Sequence, residues 1–119
     1  MITAIHHVAL IVSSEKSISF YNRLGFIESF RKQRINDTIV LMDGYGIQLE
    51  IFIDPRHSKI LGLEPVGVRH LALKVDSLES TLDELNLSIS DVGEIMNDWT
   101  GIRFCFIKDP DGLTIELHE

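Results

Sequence analysis

Two histidines and two glutamates recur at nearly equal spacing in the two halves of this chain, and side chains of both types bind metals and transfer protons. His7 and His70 are 63 positions apart (70 − 7), and Glu50 and Glu116 are 66 positions apart (116 − 50). Each half of the chain therefore carries one histidine followed by one glutamate, in step. Two imidazoles and two carboxylates brought together would bind one divalent metal, Ni, Zn, Co, Mn or Fe, and leave positions for water or substrate oxygen. Open positions indicate catalysis rather than a purely structural metal.

The choice between the adjacent His6 and His7 follows from strand alternation, because neighbouring residues of a strand point to opposite faces. His7 shares its face with Ala9, as His70 shares its face with Ala72. His6 shares its face with bulky apolar residues. We therefore expect His7 to be the ligand and His6 to face the helix layer.

The two glutamates alternate with apolar neighbours in their own strands. Taken singly, Glu50 or Glu116 would be read as part of the solvated face of a one-sided sheet. Their occurrence in step with the histidines favours a ligand role for both. His118 shares the face of Glu116 and could be an outer-shell group, but we expect a frayed side chain so near the chain end. His57 is expected at the surface.

Composition limits the class of protein. A chain of 119 residues with 45% hydrophobic residues is long enough for one domain with a core. Its formal charge of −7 argues against nucleic acid or an anionic membrane as partner. The one cysteine, Cys105, excludes an intrachain disulfide and is expected to be a small buried apolar residue. The N-terminus lacks a signal-peptide pattern and no run reaches about 18 apolar residues, so we expect a cytoplasmic protein.

Apolar periodicity divides the chain into two halves with the same order of elements. In the first half it predicts strands at 5–12, 26–34, 38–42 and 46–53, with a helix after the first strand. In the second half it predicts strands at 68–75, 89–96, 102–107 and 113–118, again with a helix after the first strand. Each half is therefore βαβββ. We expect one domain over 1–119, with module 1 at 1–54, a linker at 55–66 and module 2 at 67–119.

Cap signals bound the two predicted helices. Ser13 and Ser14 are good N-cap residues for the first helix, and Gly25 is placed to end it. Asp76 and Glu79 form a pattern similar to a capping box for the second helix.

At these residues the chain resembles the vicinal oxygen chelate superfamily, which includes glyoxalase I, fosfomycin-resistance thiol transferases, methylmalonyl-CoA epimerase, extradiol dioxygenases and bleomycin-binding proteins. The matching stretches are 7–10, 16–21, 24–26, 48–50, 69–75, 108–112 and 115–117. The resemblance implies an α+β fold in which two tandem βαβββ modules form an open barrel-like mixed sheet. It also implies a homodimer, because small members pair their modules within a chain or across chains.

The four-ligand set His7, Glu50, His70 and Glu116 looks most like the glyoxalase I branch. The resemblance implies a lactoylglutathione lyase-like enzyme that binds a small oxygen-chelating substrate at the metal. Glu50 or Glu116 would then move a proton between adjacent carbons through an enediolate. The alternatives are an epimerase or dioxygenase of the same superfamily, or a non-catalytic small-molecule binding or resistance protein.

The positions that hold glutathione in glyoxalase I differ in this chain. They are occupied by Ile11, Asp54 and Val66, where the family commonly has Arg, Asn and Arg. We therefore expect glutathione adducts to be poor substrates. The residues that could serve another substrate, or equally lie at the surface or in packing, are Phe52, Arg69, Trp99 and Arg103.

Overall fold

The chain divides after Lys59 into two units in the computed structural model, which describes all 119 residues. The elements of unit 1 are β1 (Val8–Val12), α1 (Lys16–Arg23), β2 (Ile27–Gln33), β3 (Thr38–Gly44) and β4 (Ile47–Ile53). Its strands form one sheet in the order β1-β4-β3-β2. The β1 and β4 strands are parallel, and the other neighbours are antiparallel.

Unit 2 repeats this arrangement. Its elements are β5 (His70–Lys74), α2 (Leu78–Leu85), a 3₁₀ turn (Ile89–Asp91), β6 (Met96–Asn97), β7 (Arg103–Lys108) and β8 (Thr114–His118). The sheet order is β5-β8-β7-β6, with β5 and β8 parallel. The predicted α+β class is confirmed, with two βαβββ modules that each form a four-stranded mixed sheet. Neither eight-residue helix has the length or apolar run that a membrane crossing requires.

Each sheet buries one face and leaves the other partly open. In β4 the residues Leu49, Ile51 and Ile53 are buried, whereas the alternating residues between them are half-buried. In β7 the buried residues are Cys105 and Ile107. Burial raises the pKa of the Cys105 thiol, as expected for a small core residue. This alternation leaves Glu50 and Glu116 on the open faces of their sheets.

Helix α1 ends just before Gly25, as the sequence predicts. Gly25 has a φ of +107°, and its N–H donates to the carbonyl of Asn22 at 3.0 Å. A Cβ at this position would come 2.1 Å from the Tyr45 hydroxyl. Only glycine accommodates both the backbone conformation and this approach.

Both helices begin later than predicted: α1 is capped at the residue after Ser13 and Ser14, and α2 at the residue after Asp76. Glu15 occupies the N-cap of α1 without a side-chain hydrogen bond, and the Ser14 hydroxyl accepts from the Lys16 N–H at 3.3 Å. The N-cap of α2 is Ser77, whose hydroxyl accepts from the Ser80 N–H, so the capping box from Asp76 to Glu79 is wrong. Serine and aspartate oxygens at neighbouring positions can each bond a free N–H of the first turn, which is why the sequence did not determine the residue that caps each helix.

The predicted strand at 89–96 is wrong over most of its length. Residues 89–91 form the 3₁₀ turn, in which the Asp91 N–H donates to the Ser88 carbonyl at 2.9 Å. Val92 makes only an isolated bridge to Ile107. Serine and aspartate side chains favour such local turns over a sheet ladder, and the apolar Ile89 remains exposed.

Candidate metal-ligating pairs and adjoining cavities

The first pair joins His7 to Glu50 in unit 1. Ala9 of β1 lies opposite Glu50 of the parallel β4, and His7 precedes Ala9 by two residues on the same side. The His7 Nε2 therefore comes 2.9 Å from a carboxylate oxygen of Glu50. The two side chains are 37% and 23% exposed, so a molecule in solvent can reach both.

The second pair joins His70 to Glu116 in unit 2 by the same construction. Ala72 of β5 lies opposite Glu116 of the parallel β8, and His70 precedes Ala72 by two residues. The distance between His70 Nε2 and the nearer Glu116 oxygen is 3.7 Å, which is too long for a hydrogen bond. The side chains are 24% and 18% exposed.

The donor atoms of the two pairs suit a divalent metal of intermediate hardness. In each pair, one imidazole nitrogen and one carboxylate oxygen lie on the open face of that unit's own sheet. The Nδ1 of His70 is buried without a hydrogen-bond partner, so the orientation of this ring is not explained by a local hydrogen bond. Within neither unit do three potential metal-binding side chains converge. Each unit alone supplies two of the four expected ligands.

Two further histidines lie where the sequence did not place them. His6 was expected to face the helix layer, but it is exposed and its Nδ1 lies 2.9 Å from the Nδ1 of His7. His118 was expected to be frayed, but its Nε2 lies 3.1 Å from Asp98 and its ring stacks on Phe104. The strand ladder of β8 extends to His118, which fixes the ring despite its place near the chain end.

Asp98 is held as a charged carboxylate beside His118. Its Oδ1 accepts hydrogen bonds from the hydroxyl and N–H of Thr100 and from the N–H of Ile102. These donors, the Thr100 hydroxyl first, lower the pKa of Asp98 to about 2. His57, by contrast, is an exposed surface residue, 3.5 Å from Asp54.

Phe52 is the expected substrate-binding residue that lines a cavity. The cavity has a volume of about 340 Å³ and lies in unit 1, on the sheet face that carries Glu50. Its walls are formed by Ala9, Ile11, Asp37, Phe52 and Asp54. Ile11 and Asp54 are two of the three positions at which this chain departs from the glyoxalase I pattern.

The other three expected substrate-binding residues lie in unit 2. Arg69 is exposed and 3.4 Å from Glu64, and the Trp99 side chain is fully exposed. Arg103 shares the buried face of Cys105, opposite the face that carries Glu116. Its guanidinium is bound by the carboxylates of Glu79 and Glu119. Those bonds raise the pKa of Arg103 and lower that of Glu79 to about 2.

Two arginine–aspartate pairs in unit 1 were not predicted from the sequence. Arg34 binds Asp37 through Nε and Nη2 at 2.6 and 2.7 Å. Arg56 binds the buried Asp54 in the same way, at 2.9 and 2.7 Å. The fork of Arg56 lowers the pKa of Asp54 to about 2. Both pairs could have been predicted from the sequence, because each combines an arginine and an aspartate two or three positions apart just after a strand.

The chain matches the family model described as the Glyoxalase/Bleomycin resistance protein/Dioxygenase superfamily over residues 4–117. The uncharacterized protein YwkD of Bacillus subtilis (strain 168) is 39% identical over 127 residues, covering 100% of this chain and 98% of that protein. The uncharacterized protein YaeR of Escherichia coli (strain K12) is 35% identical, covering 97% of this chain and 95% of that protein. The crystal structure of a glyoxalase family protein from Enterococcus faecalis has a TM-score of 0.84 at 33% identity, covering 98% of this chain and 97% of that one.

Proposed function

The chain belongs to the Glyoxalase/Bleomycin resistance protein/Dioxygenase superfamily, and we propose that it acts as a metal-dependent enzyme. The reaction is proton transfer between adjacent carbons of a small substrate that presents two neighbouring oxygens. The superfamily includes enzymes, and its members often bind a divalent metal. The observation that carries the proposal is the repeated pair: the same strand register presents one histidine and one glutamate in each unit.

We assign His7, Glu50, His70 and Glu116 as ligands of one divalent metal, which could be Ni, Zn, Co, Mn or Fe. A divalent metal bound there would polarise the substrate oxygens and so make the neighbouring C–H bond more acidic. The donor set contains no thiolate, which agrees with a catalytic rather than a structural centre. The proposal requires the two pairs to meet, within one chain or between two copies in a homodimer.

The proton is moved by a carboxylate of the chain. Glu50 or Glu116 takes the proton from one carbon of the substrate and returns it to the adjacent carbon, as a general base and then a general acid. The Nε2 of His7, 2.9 Å from Glu50, shares the open face with that carboxylate and would exchange this contact for the metal. Phe52 and Ile11 provide an apolar wall beside it, which limits the access of water to the reacting carbon.

The test is hydrogen–deuterium exchange at the carbon next to a carbonyl, followed by NMR over a panel of isomerase, epimerase, thiol-transfer and dioxygenase substrates. Glu50→Gln and Glu116→Gln should be assayed with metal content measured in the same samples. Loss of the base should slow exchange by about 10²-fold or more, whereas the exposed Glu94→Gln should match the wild type. Full exchange in both glutamine variants would contradict the proposal.

A non-catalytic small-molecule binder is the second candidate. It is favoured by the apolar cavity beside Glu50 and by the absence, within either unit, of a group of three metal-binding side chains. A binder of this kind would saturate with ligand after metal removal and show no turnover across the panel. Retention of metal together with turnover would exclude it.

A further inference from the structure

A second hollow lies at the turn between β2 and β3, and it is lined by cations in a chain whose net charge is −7. Its volume is about 500 Å³, and its charged and polar walls are Lys32, Gln33, Arg34, Asn36, Asp37 and Arg56. Three cationic side chains face the carboxylate of Asp37, and a second carboxylate, that of Asp54, binds Arg56, so the cations outnumber the carboxylates by one. Clustered cations in an acidic protein attract an anion locally, although the surface as a whole repels it.

The two guanidinium groups of this hollow are fixed in place before any ligand arrives. Arg34 and Arg56 each bind an aspartate through Nε and Nη2. Their Nη1 groups are left by these pairs for another acceptor. The backbone N–H of Arg34 also donates to the Asp37 carbonyl at 2.7 Å, which holds the turn. Prearranged guanidinium groups lose less side-chain entropy on binding an anion than flexible lysine side chains do.

The cationic hollow adjoins the apolar cavity at Phe52. Asp37 lines both, and the guanidinium of Arg34 lies 5.5 Å from the centroid of the Phe52 ring. Asp54 lines the cavity and holds Arg56 in the hollow. A molecule with an apolar part against Phe52 would therefore direct a neighbouring group towards the guanidinium groups.

We infer that this hollow binds the anionic end, a carboxylate or a phosphate, of a small organic molecule whose apolar part contacts Phe52 and Ile11. With the proposed function, on which this last step rests, the substrate is an organic acid or phosphate ester. Arg34 and Arg56 would select it. Both anionic groups accept paired hydrogen bonds from a guanidinium.

The test is an NMR titration of the full chain with phenyl phosphate, benzoate and the uncharged benzyl alcohol. Phenyl phosphate, benzoate or both should shift the amides of 34–37, 52–54 and 56 saturably, and the comparison of the two identifies the preferred anion. Arg34→Gln should raise the dissociation constant about tenfold, as expected for loss of a charged hydrogen bond. Lys32→Gln, which changes an exposed residue and leaves both arginine pairs intact, should raise it severalfold.

Arg31→Gln is the matched control. Arg31 lies on β2 next to Lys32, but its guanidinium binds Glu15 and Glu28 and does not line the hollow. This variant should bind the anions as the wild type does. Equal binding of benzyl alcohol, no saturable shift with either anion, or unchanged affinity in both Arg34→Gln and Lys32→Gln would overturn the inference. Anion binding needs neither metal nor turnover, so failure of the proposed function would leave a positive titration standing.

Discussion

The His70 imidazole has one buried nitrogen without a hydrogen-bond partner and one nitrogen 3.7 Å from a carboxylate. A buried polar atom left in this state costs about 1–3 kcal/mol. His7 differs, because its Nε2 lies within hydrogen-bond distance of Glu50. The separation of 3.7 Å between His70 Nε2 and the Glu116 carboxylate is therefore the strongest local reason to look for a ligand between these two side chains.

Asp54 allows a prediction of pH dependence. Its pKa in the folded protein is lowered from 3.8 to about 2 by Arg56, so its contribution to stability is complete above the ordinary pKa. That contribution is lost as the pH falls from about 4 to about 2. Asp54→Asn should therefore be less stable than the wild type at pH 7, with a difference that shrinks towards zero at pH 2. Urea unfolding followed by circular dichroism at several pH values measures the difference.

Asp83→Asn is the control for that series, because Asp83 is exposed on α2. Its stability should follow the wild type at each pH. A difference between wild type and Asp54→Asn that stayed constant down to pH 2 would show that the Asp54 carboxylate is not held by Arg56.

Strand alternation predicted which side chains share a sheet face, but the sequence did not predict side-chain contacts that depend on the tertiary structure. Strand alternation placed His7 and Glu50 on one face, and their side chains meet there; their role as ligands stays a prediction. The sequence did not reveal that Asp98 and Phe104 would hold His118. Asp98 and His118 are 20 positions apart, and their contact depends on the loop after β6.

At the element scale, the strands with strict apolar alternation and the glycine-terminated helix were predictable from local pattern. Gly25 ends α1 because the required φ of +107° excludes other residues. The segment at 89–96 was not predictable in this way, because its apolar residues suggest a strand while its serines and aspartate form a turn. Local hydrogen bonds there favour the turn over the strand that the apolar pattern predicts.

The observed cap of α2 gives an element-scale prediction. Ser77→Ala removes the hydroxyl that accepts from the Ser80 N–H and should lower the free energy of unfolding by about 1 kcal/mol. Asp76→Ala, one residue earlier, should change it by much less. Chemical denaturation of both variants measures this, and a larger cost for Asp76→Ala would restore the capping box that the sequence suggested.

At the scale of the whole molecule, each unit has a sheet with two edge strands and one partly open face. The β2 edge strand is exposed along all seven residues. Such edges and faces are commonly covered in stable proteins. Internal repetition predicted the two modules, because each half repeats the same apolar order, but it contains no information on the number of copies that assemble.

We predict a homodimer. Light scattering coupled to gel filtration should give about twice the 13.5 kDa chain mass at micromolar concentration. A mass that stays at one chain would contradict this. If the metal site is shared between copies, mixing His7→Ala with His70→Ala chains should restore about a quarter of the sites, since each mixed dimer regains one complete set. No recovery in a proven mixed dimer would place the site within one chain.

We also predict that the methylglyoxal–glutathione adduct is a poor substrate even with metal bound. Ile11 and Val66 are exposed without charge, and Asp54 is occupied by Arg56. Each missing arginine–carboxylate contact is worth about 1.5–3 kcal/mol, so productive binding should weaken by roughly two orders of magnitude or more. Steady-state kinetics test this. Turnover at the rate of a dedicated glyoxalase would show that other residues hold glutathione.

The most direct test of the four-ligand site is the metal content of the purified chain, measured by mass spectrometry for wild type and for His7→Ala, Glu50→Gln, His70→Ala and Glu116→Gln. His57→Ala serves as the control, because His57 lies at the surface outside both pairs. We expect about one divalent ion per chain in the wild type and the control. Each of the four variants should lose most of its metal. Unchanged stoichiometry in His70→Ala would contradict the proposed four-ligand site.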